Sequence, residues 1–314
     1  MKAYIAGHQG LVGSALVRRY ARESAVVITS RARTELNLED GHAVDAFFAQ
    51  ERPDQVLLAA ARVGGIGANQ AYPADFLFAN LKIQTNVLSS VVKFDVQKCI
   101  FLGSSCIYPR DASQPITESK LLTGPLEKSN EAYAVAKIAG IKLAQSIRRQ
   151  YGVCCIAAMP CNLYGENDNF DLQSAHVLPA MIRRVYEAKI QSAPFVTFWG
   201  SGQALREFLH ADDAAEAIAF LMNEYDGEEP VNVGSGSEIS IRQLAETIRD
   251  IVGYRGDIRW DRSKPDGTPR KLLDSTRIVE LGWHPRIRLE EGIETTYRWF
   301  AGRRELGLPI RGVA

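Results

Sequence analysis

The stretch "KAYIAGHQGLVGSALVRRY", residues 2 to 20, decides the fold. An apolar run ends on three glycines at GxxGxxG spacing, Gly7, Gly10 and Gly13, and these open an amphipathic segment. Glycine allows a tight turn and a close backbone approach, and the N-terminus of the helix that follows attracts a pyrophosphate. A glycine triplet alone marks many ordinary turns. Set between the first strand and the first helix of an alternating chain, this one predicts a dinucleotide cradle completed by Leu11 and Val12.

Working outward, short apolar runs rich in β-branched residues, "AVVIT", "QVLLAAA", "CIFLGSS" and "VCCIAAM", alternate with amphipathic segments at 39–51, 74–94 and 131–150. That alternation predicts an α/β fold, a Rossmann-type doubly wound parallel sheet with helices on both faces. Beyond residue 165 the pattern loosens. Helices are expected near 177–189, 212–224, 240–252 and 288–304, and strands at "PFVTFWG" and "PVNVGS". We therefore expect a cofactor-binding domain over 1–165, completed by about 204–235, and a smaller α/β substrate-binding domain from 166–203 and 236–314. A cleft between them is the expected site.

Composition narrows the partners. Lys plus Arg and Asp plus Glu both number 37, so no net positive field is available to hold nucleic acid or an anionic membrane nonspecifically. The N-terminus runs straight into a strand, and no later apolar run reaches membrane-spanning length, which predicts a cytoplasmic chain. The five cysteines, 99, 106, 154, 155 and 161, show no paired CxxC and predict neither disulfides nor a metal site. Four lie in apolar segments. Cys106 sits in the polar turn "GSSCIYP" behind a strand, where such sheets present their chemistry.

The second strand ends "ITSRAR", so Arg31 and Arg33 stand where an NAD site carries an acidic residue for the ribose diol. Two guanidinium groups there favour a 2′-phosphate and hence NADP(H), while nearby Glu35 leaves NAD open. In "EAYAVAKIAGIKLAQ", Tyr133 and Lys137 lie four residues apart on one helix face, and no other tyrosine of the eleven has a lysine at that offset. An adjacent ammonium favours phenolate, so Tyr133 is expected to ionise more easily than an ordinary tyrosine. Ser104 follows the fourth strand, expected next to the first, and its hydroxyl can polarise a carbonyl beside Tyr133.

With "GHQGLVG", a serine after the fourth strand and "YAVAK", the chain resembles the extended short-chain dehydrogenase/reductase family. "AARVGGI", "FLGSSCIYP", "NLYG", "REFLHADD", "VNVGSG" and "KPDGTPRKLLD" carry the resemblance across nearly the whole length, toward the members that epimerise and reduce GDP-linked 4-keto sugars. The resemblance implies NADPH-dependent 3,5-epimerisation and 4-reduction of a GDP-linked 4-keto-6-deoxy sugar, in a homodimer joined through the helices near 80–95 and 131–150. It implies that Cys106 and His176 of "QSAHVLP" form an acid/base pair, although composition would not single out His176 from His8, His42, His210 and His284. It implies further that Ser104, Tyr133 and Lys137 serve the reduction, that Leu102 and Asn162 lie by the nicotinamide, and that Arg184, Trp199, Arg206 and Asp266 contact the nucleotide sugar. Related dehydratases carry an acidic pair where this chain reads "SSCIY". Gln9 replaces an arginine common in the family, and the loop "GENDNFDLQSAH" differs from its commoner forms. Colitose-type or heptose-type substrates therefore stay open, as does a non-catalytic NADP(H) sensor, for which a lost tyrosine or lysine would be the mark.

Overall fold

The structure is a computed structural model that describes residues 1–264 and 266–313, the side chain of Ile66 excepted. The first half alternates as β1 (Lys2–Ala6), α1 (Leu11–Tyr20), β2 (Val27–Thr29), α2 (Gly41–Glu51), β3 (Gln55–Leu58), α3 (Ile66–Ala71), α4 (Pro73–Lys93), β4 (Lys98–Leu102), α5 (Glu131–Tyr151) and β5 (Cys154–Pro160). The second half adds β6 (Asn162–Tyr164), α6 (Val177–Ile190), β7 (Phe195–Trp199), β8 (Leu205–His210), α7 (Ala211–Glu224), β9 (Val231–Val233) and β10 (Glu238–Ser240). It closes with α8 (Ile241–Val252), β11 (Asp257–Asp261), β12 (Arg270–Lys271), α9 (Thr276–Glu280) and α10 (Leu289–Glu305).

Six parallel strands form the main sheet in the order β2-β1-β3-β4-β5-β9. This is the doubly wound Rossmann-type arrangement that the alternation predicts, with one correction. The fourth strand does not adjoin the first, because β3 lies between them. The chain leaves β1 toward β2, and α2 then carries it back to the far side of β1. That reversal opens the crevice between the ends of β1 and β3, where a ligand of such a sheet sits.

Local chemistry explains the long helices. Asp40 caps α2 by accepting from the His42 and Ala43 amides at 3.0 and 3.2 Å. Helix α5 carries Glu131 in its first turn and Arg148 and Arg149 in its last, each complementing the helix dipole, and it stops at Gly152 in the left-handed region. Its Gly140 lies so close to Phe101 that a Cβ would overlap the ring. That contact lets α5 pack tightly over β4.

The strands of the second half, apart from β9, make smaller sheets. β8 pairs with β6, β10 and β12, and β7 pairs with β11. A large apolar core lies around the main sheet and its helices, and a second gathers Tyr164, Phe170, Ile182, Phe198, Ile248 and Phe300. β8 joins them, since Phe208 belongs to the smaller core and Leu209 to the larger. The short strands β6, β10 and β12, of two or three residues each, were too brief to show a period in the sequence.

Candidate active site

The glycine turn forms as its spacing predicts. Gly7 has φ +85°, and the Gly10 amide donates to its carbonyl at 2.9 Å. A Cβ on Gly7 would come within 2.8 Å of Ala60 Cα, and one on Gly13 would overlap the Gly7 carbonyl oxygen. Only hydrogen fits at either position, which leaves the first turn of α1, with Leu11 and Val12, facing an open crevice.

That crevice is a cavity of about 510 Å³. At one end its wall holds Arg31 and Arg33, paired with Glu51 at 2.7 Å and Glu39 at 3.0 Å. Glu35, the residue that left NAD open, is absent from the wall among the described residues, and its carboxylate accepts from the Ala32 amide at 2.7 Å. The other end holds Leu102, Ser104, Tyr133, Lys137, Asn162 and His176. A turn, a sheet end and two helices thus bring together the cofactor and reduction residues singled out in the sequence. The shape fits a dinucleotide, since a crevice lined by bare backbone runs from two guanidinium groups to a cluster of proton-carrying side chains.

Lys137 is 3% exposed, and its ammonium donates to the Leu102 carbonyl at 2.7 Å while lying 5.8 Å from the Tyr133 ring centre. Burial pushes its pKa down to about 8, opposed by the nearby Cys106. The expected easing of Tyr133 ionisation is corrected. Burial holds the Tyr133 hydroxyl well above its usual range, Cys106 adds to this, and Ser104 only partly offsets it. The ammonium is tied to a backbone carbonyl, and desolvation of the phenol prevails. Tyr133 is therefore held as the protonated acid.

Ser104 caps the short 3-10 turn Ser105–Ile107, its Oγ accepting from the Cys106 amide at 3.4 Å. Cys106 itself is 6% exposed and does not line the cavity; it lies behind the wall formed by Ser104 and Ser105. Burial raises its thiol pKa, and Lys271 foremost, with Ser104 and Lys137, pulls it down. Lys271 is a neighbour that the sequence reading did not single out. His176 precedes the first turn of α6 and is open to the cavity. The protein packed around the imidazole, with Arg311 second, lowers its pKa, and solvent entering through the cavity limits the effect.

Arg184, Trp199, Arg206 and Asp266 lie outside this cavity, around the ends of β7 and β8. Arg184 donates to the Thr197 carbonyl at 3.4 Å, Trp199 is 65% exposed, and Asp266 accepts from the Ser201 amide and hydroxyl at 2.8 and 2.7 Å. The charge of Arg206 also reaches Asp266. The segment "KPDGTPRK" contributes Arg270 and Lys271 to β12 and is tied at Asp266; Pro265 lies outside the described residues. The sequence reading missed Arg62, Asp168, Asn169, Ser174 and Arg311, all on the cavity wall. Asp and Asn in a loop look like turn formers, and only folding carries Arg311 back from the chain end.

Comparison with known proteins adds to this geometry. The model of the NAD dependent epimerase/dehydratase family matches residues 3–234. GDP-L-fucose synthase 1 of Arabidopsis thaliana is 53% identical over 299 residues, 95% of this chain and 93% of its own. GDP-L-fucose synthase of Escherichia coli (strain K12) is 52% identical over 308 residues, 95% of this chain and 96% of its own. Among solved structures, a GDP-6-OMe-4-keto-L-xylo-heptose reductase from C. jejuni superposes with TM-score 0.92 at 33% identity, covering 96% of this chain and 98% of that one. A GDP-L-fucose synthetase from Naegleria fowleri bound to NADP superposes with TM-score 0.89 at 30% identity, covering 97% and 95%.

Proposed function

The chain belongs to the NAD dependent epimerase/dehydratase family, and from that membership we propose that it is an NADP-dependent epimerase and reductase of the GDP-L-fucose synthase type, converting GDP-4-keto-6-deoxy-D-mannose to GDP-L-fucose. One observation carries the reading: a single cavity runs from the glycine cradle and Arg31 and Arg33 to Ser104, Tyr133, Lys137 and His176. The identity with GDP-L-fucose synthases along nearly the whole chain supports the choice of substrate.

The residues divide the chemistry. A ketone at C4 acidifies the protons on C3 and C5, so one positioned base removes a proton and an acid on the other face returns one. Cys106 and His176 take these roles, supported by the opening of His176 to the catalytic end and by the place of Cys106 directly behind Ser104 and Ser105 of its wall. Ser104 then holds the carbonyl oxygen, and Tyr133, kept protonated by burial, gives it a proton. Lys137, with its pKa near 8, resupplies Tyr133. The dinucleotide, when bound, supplies the hydride. Gly7, Gly10, Leu11, Val12 and Gly13 hold its pyrophosphate, Arg31 and Arg33 its 2′-phosphate, and Leu102 and Asn162 flank the nicotinamide. Arg184, Trp199, Arg206 and Asp266 contact the nucleotide of the sugar, supported by their places around β7 and β8: Arg184 donates to the Thr197 carbonyl, and Asp266 is held by Ser201. The division at 1–165 with 204–235 against 166–203 with 236–314 is supported by the two apolar cores, although Leu273, Ile278 and Trp283 return to the larger one.

We also propose a cytoplasmic homodimer. Free cysteines and the absence, among the described residues, of a helix long and apolar enough to cross a membrane support the compartment. Exposed Phe78 on α4 and Val135 on α5 support the interface. The purified chain, given GDP-4-keto-6-deoxy-D-mannose and NADPH, is expected to yield GDP-L-fucose by NMR. Turnover of a colitose-type or heptose-type keto sugar in its place would overturn the substrate assignment.

A further inference from the structure

Beyond α10 the chain turns back on itself. The Arg303 guanidinium donates to the Pro309 carbonyl at 3.0 and 2.8 Å, and Ile310 is buried in the smaller core. The Phe170 amide donates to the Arg311 carbonyl at 2.9 Å, and Arg183 bridges the Phe170 and Gly312 carbonyls at 3.0 and 2.8 Å. Gly312 takes φ +79°, and a Cβ there would overlap the Asn169 side chain and the Asp171 backbone. The arm is thus fastened on both sides of Arg311, whose side chain lines the cavity beside His176 and Asp168.

Other charges near this wall are already matched. Asp171, on the loop leading to His176, accepts from the Ser174 hydroxyl at 2.8 Å, and Arg183 on α6 pairs with Glu187 at 2.7 Å. Arg62, after β3, pairs with Asp75 at 3.2 Å, and Lys137, toward Tyr133, is bound to a backbone carbonyl. Asp168 is 5% exposed; its Oδ1 accepts from the Asn169 amide at 2.7 Å while its Oδ2 has no partner. Burial raises its pKa to about 7, so it is a weak counter-charge at neutrality. Among the described residues, the Arg311 guanidinium forms no ion pair and no side-chain hydrogen bond; it is exposed at the cavity, and its charge reaches both Asp168 and His176.

We propose that Arg311, carried into the cavity by the C-terminal arm, is a positioning residue that works through His176, keeping the imidazole neutral until it takes a proton from the substrate. The proposal rests on the acid/base role assigned to His176. A guanidinium is charged at every working pH, and a fixed positive charge disfavours a second one nearby. Neutral imidazole is the form that can act as base, and the imidazolium formed during turnover is a stronger acid for returning a proton to carbon. The arm around Arg311 then belongs to the active site.

Titration of the His176 ring by NMR, assigned with His176→Gln, tests this directly. Arg311→Gln is expected to move the His176 midpoint upward, Arg311→Lys to restore it, and Gly312→Ala, which displaces the arm without altering a charge, to move it the same way as Arg311→Gln. Deuterium exchange at C3 and C5 of the substrate should fall by roughly three- to tenfold below pH 7 in Arg311→Gln, because a raised midpoint lowers the fraction of neutral imidazole by that factor. NADPH affinity should change less than about twofold, because the glycine cradle is untouched. An unmoved His176 midpoint in an Arg311→Gln protein that binds NADPH normally overturns the proposal. A moved midpoint with unchanged exchange overturns the acid/base role of His176.

Discussion

At the level of single residues, the proposed reaction divides its work between a thiol behind a serine wall and a phenol held protonated. In the reaction we propose, Cys106 exchanges protons at the reacting carbons, whereas Tyr133 serves the carbonyl oxygen. Cys106→Ser keeps the size but replaces a thiol with a hydroxyl that hardly ionises, so deuterium incorporation at C3 or C5 should collapse while NADPH still binds. Tyr133→Phe should keep that exchange and lose hydride transfer by roughly a hundredfold or more, the usual scale for a general acid. Wild-type exchange and epimerisation by Cys106→Ser would make the thiol a packing residue. The tyrosine–lysine pair was legible from its spacing, but its electrostatics were not. Spacing suggested an ammonium easing the phenol's ionisation, yet burial of Tyr133 outweighs it, and burial is a property of the folded chain.

Helix α5 shows how one residue governs an element. Gly140 faces Phe101 of β4, a ring 1% exposed over which the Lys137 ammonium sits at 4.8 Å. Alanine there would gain up to about 1 kcal/mol in helix propensity. Overpacking against a ring that cannot turn aside costs about 1–3 kcal/mol, so Gly140→Ala should lower stability on balance. Chemical denaturation would measure it, and a more stable Gly140→Ala would show that Phe101 has room to move. Tight packing at this point also holds Lys137 near Tyr133, so kcat should fall with stability. The helices were legible because their apolar faces run for several turns. The order of the strands was not, since the sequence does not say on which side of β1 the chain returns after α2.

Over the whole molecule, the loop before α6 buries Asp168 with its proton retained to about pH 7, against an ordinary value of 3.8. Between those values the unfolded chain binds fewer protons than the folded one, so this group's contribution to stability falls as pH rises. Asp168→Asn is therefore expected to be nearly neutral at pH 4 and stabilising by about 1–3 kcal/mol at pH 7.5, read from thermal melts across that range. A loss at pH 7.5 would mean that the folded protein stabilises the carboxylate. Assembly is testable at the same scale. Light scattering at micromolar concentration should give a dimer mass, and Phe78→Glu should reduce it; a monomeric wild type would overturn the α4–α5 interface.

By itself the sequence determined the cradle, the alternation that makes a parallel sheet, and the spacing of Tyr133 and Lys137, because each is set by neighbours within a turn or a strand. The long motifs shared with a known family gave Cys106, already set apart by its polar turn, a role, and added His176, which no local pattern distinguishes. Tertiary structure alone decided that β3 lies between β1 and β4, that β8 leaves the main sheet for the smaller one, and that Cys106 stands behind the cavity wall. It alone brought Arg311 across from the end of the chain to His176 and Asp168. The physical reason is range: periodicity and turn chemistry act over a few residues, whereas burial and the field of a distant charge exist only once separate segments have packed together.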